Sequence, residues 1–151
     1  MVKERLIELG IELPPVFPPA GSYLGCVIDG GLVHVGGHGP IAGDTVIRGK
    51  VGADLTLEQA RVAARMTGLS ILATLAEGLG DLDRIARIVK VFGMVNVAPG
   101  FTQTPAVIDG CSELLIDVFG DAGRHTRSAV GLAELPLGIA VEIELTARLR
   151  A

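Results

Sequence analysis

Ile139-Ala140-Val141-Glu142-Ile143-Glu144-Leu145-Thr146-Ala147-Arg148-Leu149, near the end of the chain, is the stretch that decides the architecture. Ile139, Val141, Ile143, Leu145 and Ala147 alternate with Glu142, Glu144, Thr146 and Arg148. Successive side chains of a strand point to opposite faces, so this is a long strand with one apolar and one polar face. The apolar face calls for helices packed on it. The polar face calls for water, a partner or a subunit interface.

Upstream of this strand, Arg127 to Ala133 is a short strand candidate, and Leu135-Pro136-Leu137-Gly138 is a turn. Pro105 to Phe119 reads as a helix, with Val107, Cys111, Leu114, Leu115 and Val118 at helical spacing, Thr104 as cap and Gly120 just past the end. Ile85 to Val97 is β-branched and long enough for a central strand, with a bulge expected at Gly93.

Thr56 opens the clearest helix, and Gln59 three residues on completes a capping box. Leu57, Ala60, Ala64, Ile71 and Leu75 form its apolar stripe, and Gly78 or Gly80 ends it. Tyr23 to Ile28 and Leu32 to Val35 flank Asp29-Gly30-Gly31, a hairpin signal because the turn needs positive φ. Gly36-Gly37-His38-Gly39-Pro40 is expected to end the second strand, and Thr45 to Val51 to add a short edge strand.

Val2 to Leu9 fits two helical turns stopped by Gly10. Pro14, Pro15, Pro18 and Pro19 make the segment from Glu12 to Ala20 an extended connector. Residues 1–20 therefore read as an N-terminal extension, and 21–151 as one domain. The order β-β-α-β-α-β-β defines an α+β class, a mostly antiparallel sheet packed on two long helices.

At 151 residues the chain suits one domain. Aromatic residues are only 3% of it, so the core is built from Val, Ile, Leu and Ala. The same scarcity leaves little surface for stacking on bases, and a net charge of −4 repels a phosphate backbone, so no nucleic-acid partner is expected. Cys26 and Cys111 have no Cys-rich framework around them and read as buried thiols. The first residues lack the apolar core of a signal peptide, and no uninterrupted apolar stretch approaches the roughly 20 residues of a membrane helix. Cytoplasmic residence and no membrane contact are the expectations.

Chemistry concentrates in a few places. Arg127, within Gly123-Arg124-His125-Thr126-Arg127-Ser128, carries a planar fork suited to a carboxylate, though a salt bridge is its plainest use. Glu142 shares a strand face with Glu144 and could move a proton if its surroundings shift its pKa. His34, His38 and His125 lack metal-ligand spacing, and His38, beside the glycine run, is the best placed to touch a ligand. The glycine run lacks the spacing and following helix of a dinucleotide fingerprint. No GxSxG elbow activates Ser22, Ser112 or Ser128.

With those residues in view, the chain resembles the Rid family, also called YjgF-like, whose founding activity is deamination of reactive enamine and imine intermediates and whose naming history includes an endoribonuclease L-PSP. The resemblance runs from about Gly21 to Ala147. It is carried by Gly21-Ser22-Tyr23, by Val35-Gly36-Gly37-His38, and by Arg127-Ser128-Ala129-Val130 through Leu135-Pro136 to Val141-Glu142-Ile143.

It implies a chorismate-mutase-like fold and a homotrimer whose sheets form a barrel-like centre, with clefts between subunits. It implies that Arg127 binds the substrate carboxylate and that Glu142 serves the water or the reacting imine. Tyr23, Gly37 and Ala129 would surround the pocket, joined by His38. The founding group carries cysteine where this chain has Ala129. Cysteine is not the nucleophile of imine hydrolysis, so the methyl group alters pocket volume and polarity without removing a reacting atom. The implied activity is hydrolysis of 2-iminobutanoate or 2-iminopropanoate to a 2-oxo acid and ammonia, with no metal or cofactor. The alternative is a noncatalytic trimer that binds a small carboxylated metabolite or regulates a protein.

Overall fold

The computed structural model describes residues 1–151. Seven strands and three helices run in the order α1 (Val2–Glu8), β1 (Cys26–Asp29), β2 (Leu32–His38), β3 (Ile41–Ala42), β4 (Thr45–Val46), α2 (Leu57–Leu79), β5 (Ile85–Asn96), α3 (Thr104–Phe119), β6 (Thr126–Leu132) and β7 (Val141–Leu149). Five strands form the main sheet in the order β1-β2-β7-β5-β6, and β3 and β4 pair separately. The terminal strand thus lies at the centre, antiparallel to both β2 and β5. The sheet is mixed, because β6 joins the far edge parallel to β5 after the α3 crossover.

The alternation read in β7 is realised. Val141, Ile143, Leu145 and Ala147 are buried, while Glu142, Glu144, Thr146 and Arg148 lie on the other face. Over the buried face α2 packs on β2 and β7, and α3 on β5 and β6. Their mutual approach is close: a β-carbon on Gly110 would overlap the Arg61 carbonyl. The buried apolar residues are aliphatic apart from Cys111, whose thiol burial pushes up to about 12, with Arg127 pulling weakly the other way. Cys26 is half-buried, and both thiols are free.

Local signals set the ends of the elements. Thr56 accepts from the Gln59 amide at 3.2 Å while the Gln59 side chain accepts from the Thr56 amide at 2.9 Å. Gly80 closes α2 in the left-handed region, at φ 76°. Gly30 and Gly31, at φ 55° and 79°, make the β1–β2 turn between the paired residues Asp29 and Leu32.

Several expectations are corrected. The glycine run does not end β2, which continues to His38 through an irregularity between Val35 and His38. Gly93 is no bulge: it pairs regularly with Ala129 and Ile143. Glycine is needed there because a β-carbon would stand 2.6 Å from Cγ1 of Ile108 on α3. The irregularities of β5 fall nearer its start, between Ile85 and Arg87 and between Ile88 and Lys90.

Gln103, not Thr104, is the cap position of α3; the Thr104 hydroxyl instead donates to the Ala129 carbonyl at 3.0 Å. Of the stretch Thr45 to Val51, only Thr45–Val46 is a strand, paired with β3 off the main sheet. By length and composition α2 is apolar enough to cross a membrane, although Glu58, Arg61, Arg65 and Glu77 interrupt its apolar run. In the fold 61% of that stretch is buried, so its apolar side chains serve the core.

The N-terminal helix is docked. Leu6 joins the core, the Val2 amide donates to Asp83 at 2.8 Å, and Arg5 Nε donates to the Asp117 carbonyl at 2.8 Å.

Candidate functional site

Glu142 opens a cavity of about 290 Å³ at the end of the sheet where β2 and β7 meet α2. Tyr23, Gly37, His38 and Glu142 all line it. Between Val35↔Leu145 and His38↔Ile143, three steps along β2 match two along β7. The extra residue restores His38 to the helix side of the sheet. Gly36-Gly37 supplies that bulge.

Gly37 has a second role. A β-carbon there would lie 2.9 Å from Oε2 of Glu142, so the missing side chain is the space the carboxyl occupies. No partner within the chain satisfies that carboxyl. Burial raises its pKa above the ordinary carboxylate value, and repulsion from Glu144 adds to the effect.

His38 is held at both ring nitrogens, with Nδ1 2.7 Å from the Gly36 carbonyl and Nε2 2.8 Å from Oγ1 of Thr74 on α2. A carbonyl only accepts, so Nδ1 carries the proton. Burial lowers the pKa of the ring, and the bond to Gly36 offsets part of that. In the neutral ring Nε2 therefore accepts from the Thr74 hydroxyl.

The proline-rich connector, read only as a spacer, is a wall of this cavity through Phe17, Pro18, Pro19 and Ala20. The Ala20 amide donates to the Tyr23 hydroxyl at 3.1 Å, which ties the connector to the site. Leu137 forms the lip, exposed and at φ 59°, a left-handed conformation that bulky side chains seldom adopt. Ser70 lies at the floor. None of these was singled out from sequence; four prolines next to Gly21-Ser22-Tyr23 were the available signal for the wall.

Arg127 and Ala129 stand elsewhere. Arg127 pairs with Val91 and Ala129 with Gly93, which puts both on the helix side of β6. Arg127 Nη1 donates to Asp109 at 2.7 Å and to Ser112 at 3.0 Å, and Nη2 donates to the Pro105 carbonyl at 3.2 Å. These contacts come from one side of α3. The expected salt bridge is therefore present, with the Arg127 side chain 20% exposed. The alanine side chain packs at the edge of the core. Glu142, opposite Met94, and Arg127, opposite Val91, thus project from opposite faces of the sheet. One chain does not bring them together.

The other face of the sheet, with Leu24, Val27, His34, Lys90, Phe92 and Glu144, encloses a concavity of about 630 Å³. Leu24 is 70% and Val27 48% exposed there, beside the polar side chains of His34, Lys90, Glu144 and Thr146.

An α+β sheet of this topology, with its glycine bulge, central Glu142 and edge Arg127, defines a class of protein, and comparison with known families agrees. The chain belongs to the Rid/YjgF-like family: the family described as "YjgF/chorismate mutase-like, putative endoribonuclease" matches residues 3–149. It is 42% identical over 147 residues to Protein TCP17 of Trypanosoma cruzi, covering 95% of this chain and 91% of that protein. The structure of Atu1372 from Agrobacterium tumefaciens superposes with a TM-score of 0.90 at 36% identity, covering 99% of this chain and 92% of that one. A structure described as a putative endoribonuclease from Shewanella oneidensis MR-1 gives 0.95 at 33% identity, with 99% of both chains covered.

Proposed function

We propose that this chain is an imine/enamine deaminase that hydrolyses 2-iminobutanoate and 2-iminopropanoate to 2-oxo acids and ammonia, and that it acts as a homotrimer with sites between copies. Family membership supports the reaction class. The observation that carries the reading is Glu142: an unpaired carboxyl with a raised pKa in a cavity shared with Tyr23, Gly37 and His38.

The chemistry asks for little more than placement and proton movement. The imine carbon is already electrophilic, so water adds to it, the nitrogen takes protons, and the C–N bond breaks to release ammonia. A carboxyl that is easily protonated can take the proton of the attacking water and return it to the departing nitrogen. The backbone beside Gly37 orients water and substrate, and neutral His38, bonded at both ring nitrogens, walls the pocket without adding charge. Arg127 of a second copy supplies the clamp for the substrate carboxylate. The opposite-face placement of Arg127 and Glu142 favours a site made by two copies, and the exposed Leu24 and Val27 in the concavity of the sheet favour the contact between them.

The test is release of 2-oxo acid from freshly generated 2-aminoacrylate and its four-carbon homologue. Acceleration by the chain, lost in Glu142→Gln and Arg127→Ala, is the expected result. No acceleration beside an active family member rejects deamination, and saturable carboxylate binding in that case would mark a metabolite-binding protein instead.

A further inference from the structure

Behind Arg127 stands a set of polar side chains that the proposed chemistry leaves unused. Asp109 and Ser112 lie three residues apart on α3, and His125 precedes β6. His125 Nδ1 is 2.6 Å from the Gly123 carbonyl, so Nδ1 carries the proton. Burial lowers the pKa of this ring; the bond to Gly123 opposes that, and the neighbouring Arg127 charge reinforces it. The neutral ring offers Nε2 as acceptor to the Ser112 hydroxyl at 2.9 Å. With its proton directed at His125, Ser112 turns a lone pair to Arg127 Nη1 at 3.0 Å. The bonds therefore run one way, from Arg127 through Ser112 and His125 to the Gly123 carbonyl.

Ser112 and His125 also have the spacing of a nucleophile and its base. Ser112 is only 8% exposed, however, and Arg127 occupies the oxygen that would attack. The geometry fits a brace better than a reacting pair. Of the N–H donors of a guanidinium, Arg127 gives three to Asp109, Ser112 and Pro105, which leaves Nε–H and one Nη2–H. Those two nitrogens are adjacent, the spacing at which a carboxylate is gripped by both oxygens.

We propose that Ser112 and His125 are positioning residues that preset the Arg127 guanidinium, so that its Nε–Nη2 edge meets a ligand carboxylate already oriented. This rests on the reading of Arg127 as the carboxylate clamp. Presetting means that the side chain is ordered on folding and not at binding, which strengthens the grip without a new contact.

Titration calorimetry with 2-oxobutanoate on the full chain tests it. Ser112→Ala and His125→Leu should each weaken binding by about five- to twentyfold, and the double variant should be no worse than Ser112→Ala alone, because the two act in series. His125→Gln, which keeps an acceptor near the place of Nε2, should restore binding to within about threefold of the parent. In the deaminase assay the same variants should raise KM and leave kcat nearly unchanged. Unchanged binding in both variants, a fall in kcat at constant KM, or no rescue by His125→Gln overturns the proposal. If Ser112→Ala fails to fold, the two His125 variants decide it alone. No saturable binding by the parent, or an Arg127→Ala variant that binds equally well, overturns the clamp itself and this proposal with it.

Discussion

Glu142 lies over Gly37 so closely that a β-carbon at residue 37 would be 2.9 Å from Oε2. The backbone of Gly37 is outside the positive-φ region, so alanine is conformationally acceptable there. The obstacle is the free end of a flexible side chain, which can turn away. Gly37→Ala should therefore keep its thermal midpoint within a few degrees yet lose between about tenfold and a hundredfold in deaminase kcat/KM, the scale of an ångström misplacement of a reacting group. Loss of folding in place of loss of activity would show that the contact is rigid.

Leu137 is the one residue other than glycine at positive φ. Its side chain is 66% exposed, so little packing offsets the strain, and the bond from Arg48 Nε to its carbonyl at 3.0 Å helps hold the turn. Asparagine accepts this conformation better. Leu137→Asn should raise the thermal midpoint by about 2–4 °C, on the order of 1 kcal/mol for a chain of this size. Removing an apolar wall from the cavity should at the same time raise KM for imino acids with apolar side chains. A lower midpoint would mean that packing of the leucine outweighs its backbone strain.

These two positions mark the limit of what the sequence discloses. The alternation from Ile139 to Leu149, the Thr56–Gln59 box and the Asp29-Gly30-Gly31 turn are local patterns, and each formed the element expected of it. Glu142 and Glu144 could be placed on the polar face by counting alone. A glycine shows only that a side chain is unwelcome, not what excludes it. Gly37 is kept clear by Glu142 and Gly93 by Ile108, partners far away in the chain. Ser112, legible only as an ordinary packed hydroxyl, braces Arg127 because β6 returns beside α3. The opposite-face placement of Arg127 and Glu142 depends on the pairing of both strands with β5, which no local pattern records.

The raised pKa of Glu142 sets a pH dependence whose sign follows directly. The folded chain holds this proton to a higher pH than the unfolded one, so over that window the folded state binds more protons and stability falls as pH rises. The penalty is absent below the unfolded value near 4.5 and complete above the folded one. Glu142→Gln never ionises and should melt higher than the parent at neutral pH, with the difference shrinking toward zero at about pH 4. Glu144→Gln should recover part of the same gain by removing the repulsion. A Glu142→Gln advantage that persists undiminished in acid would trace to packing and not to charge.

Val27 tests the assembly proposed for the site. It lies opposite His34 on the polar side of the sheet, 48% exposed in the single chain, beside Leu24 at 70%. If copies meet over this concavity, Val27 becomes buried, and an aspartate there would bring an unpaired charge into the contact at a cost of several kcal/mol. The single chain loses little from the same change, because the side chain already faces water. Val27→Asp should therefore keep its far-ultraviolet circular dichroism while sedimenting as one copy where the parent sediments as three. Deaminase activity should disappear with the assembly, since Arg127 and Glu142 project from opposite faces of any one sheet. A Val27→Asp monomer with full activity would place the whole site within a single chain and remove the reason for pairing those two residues.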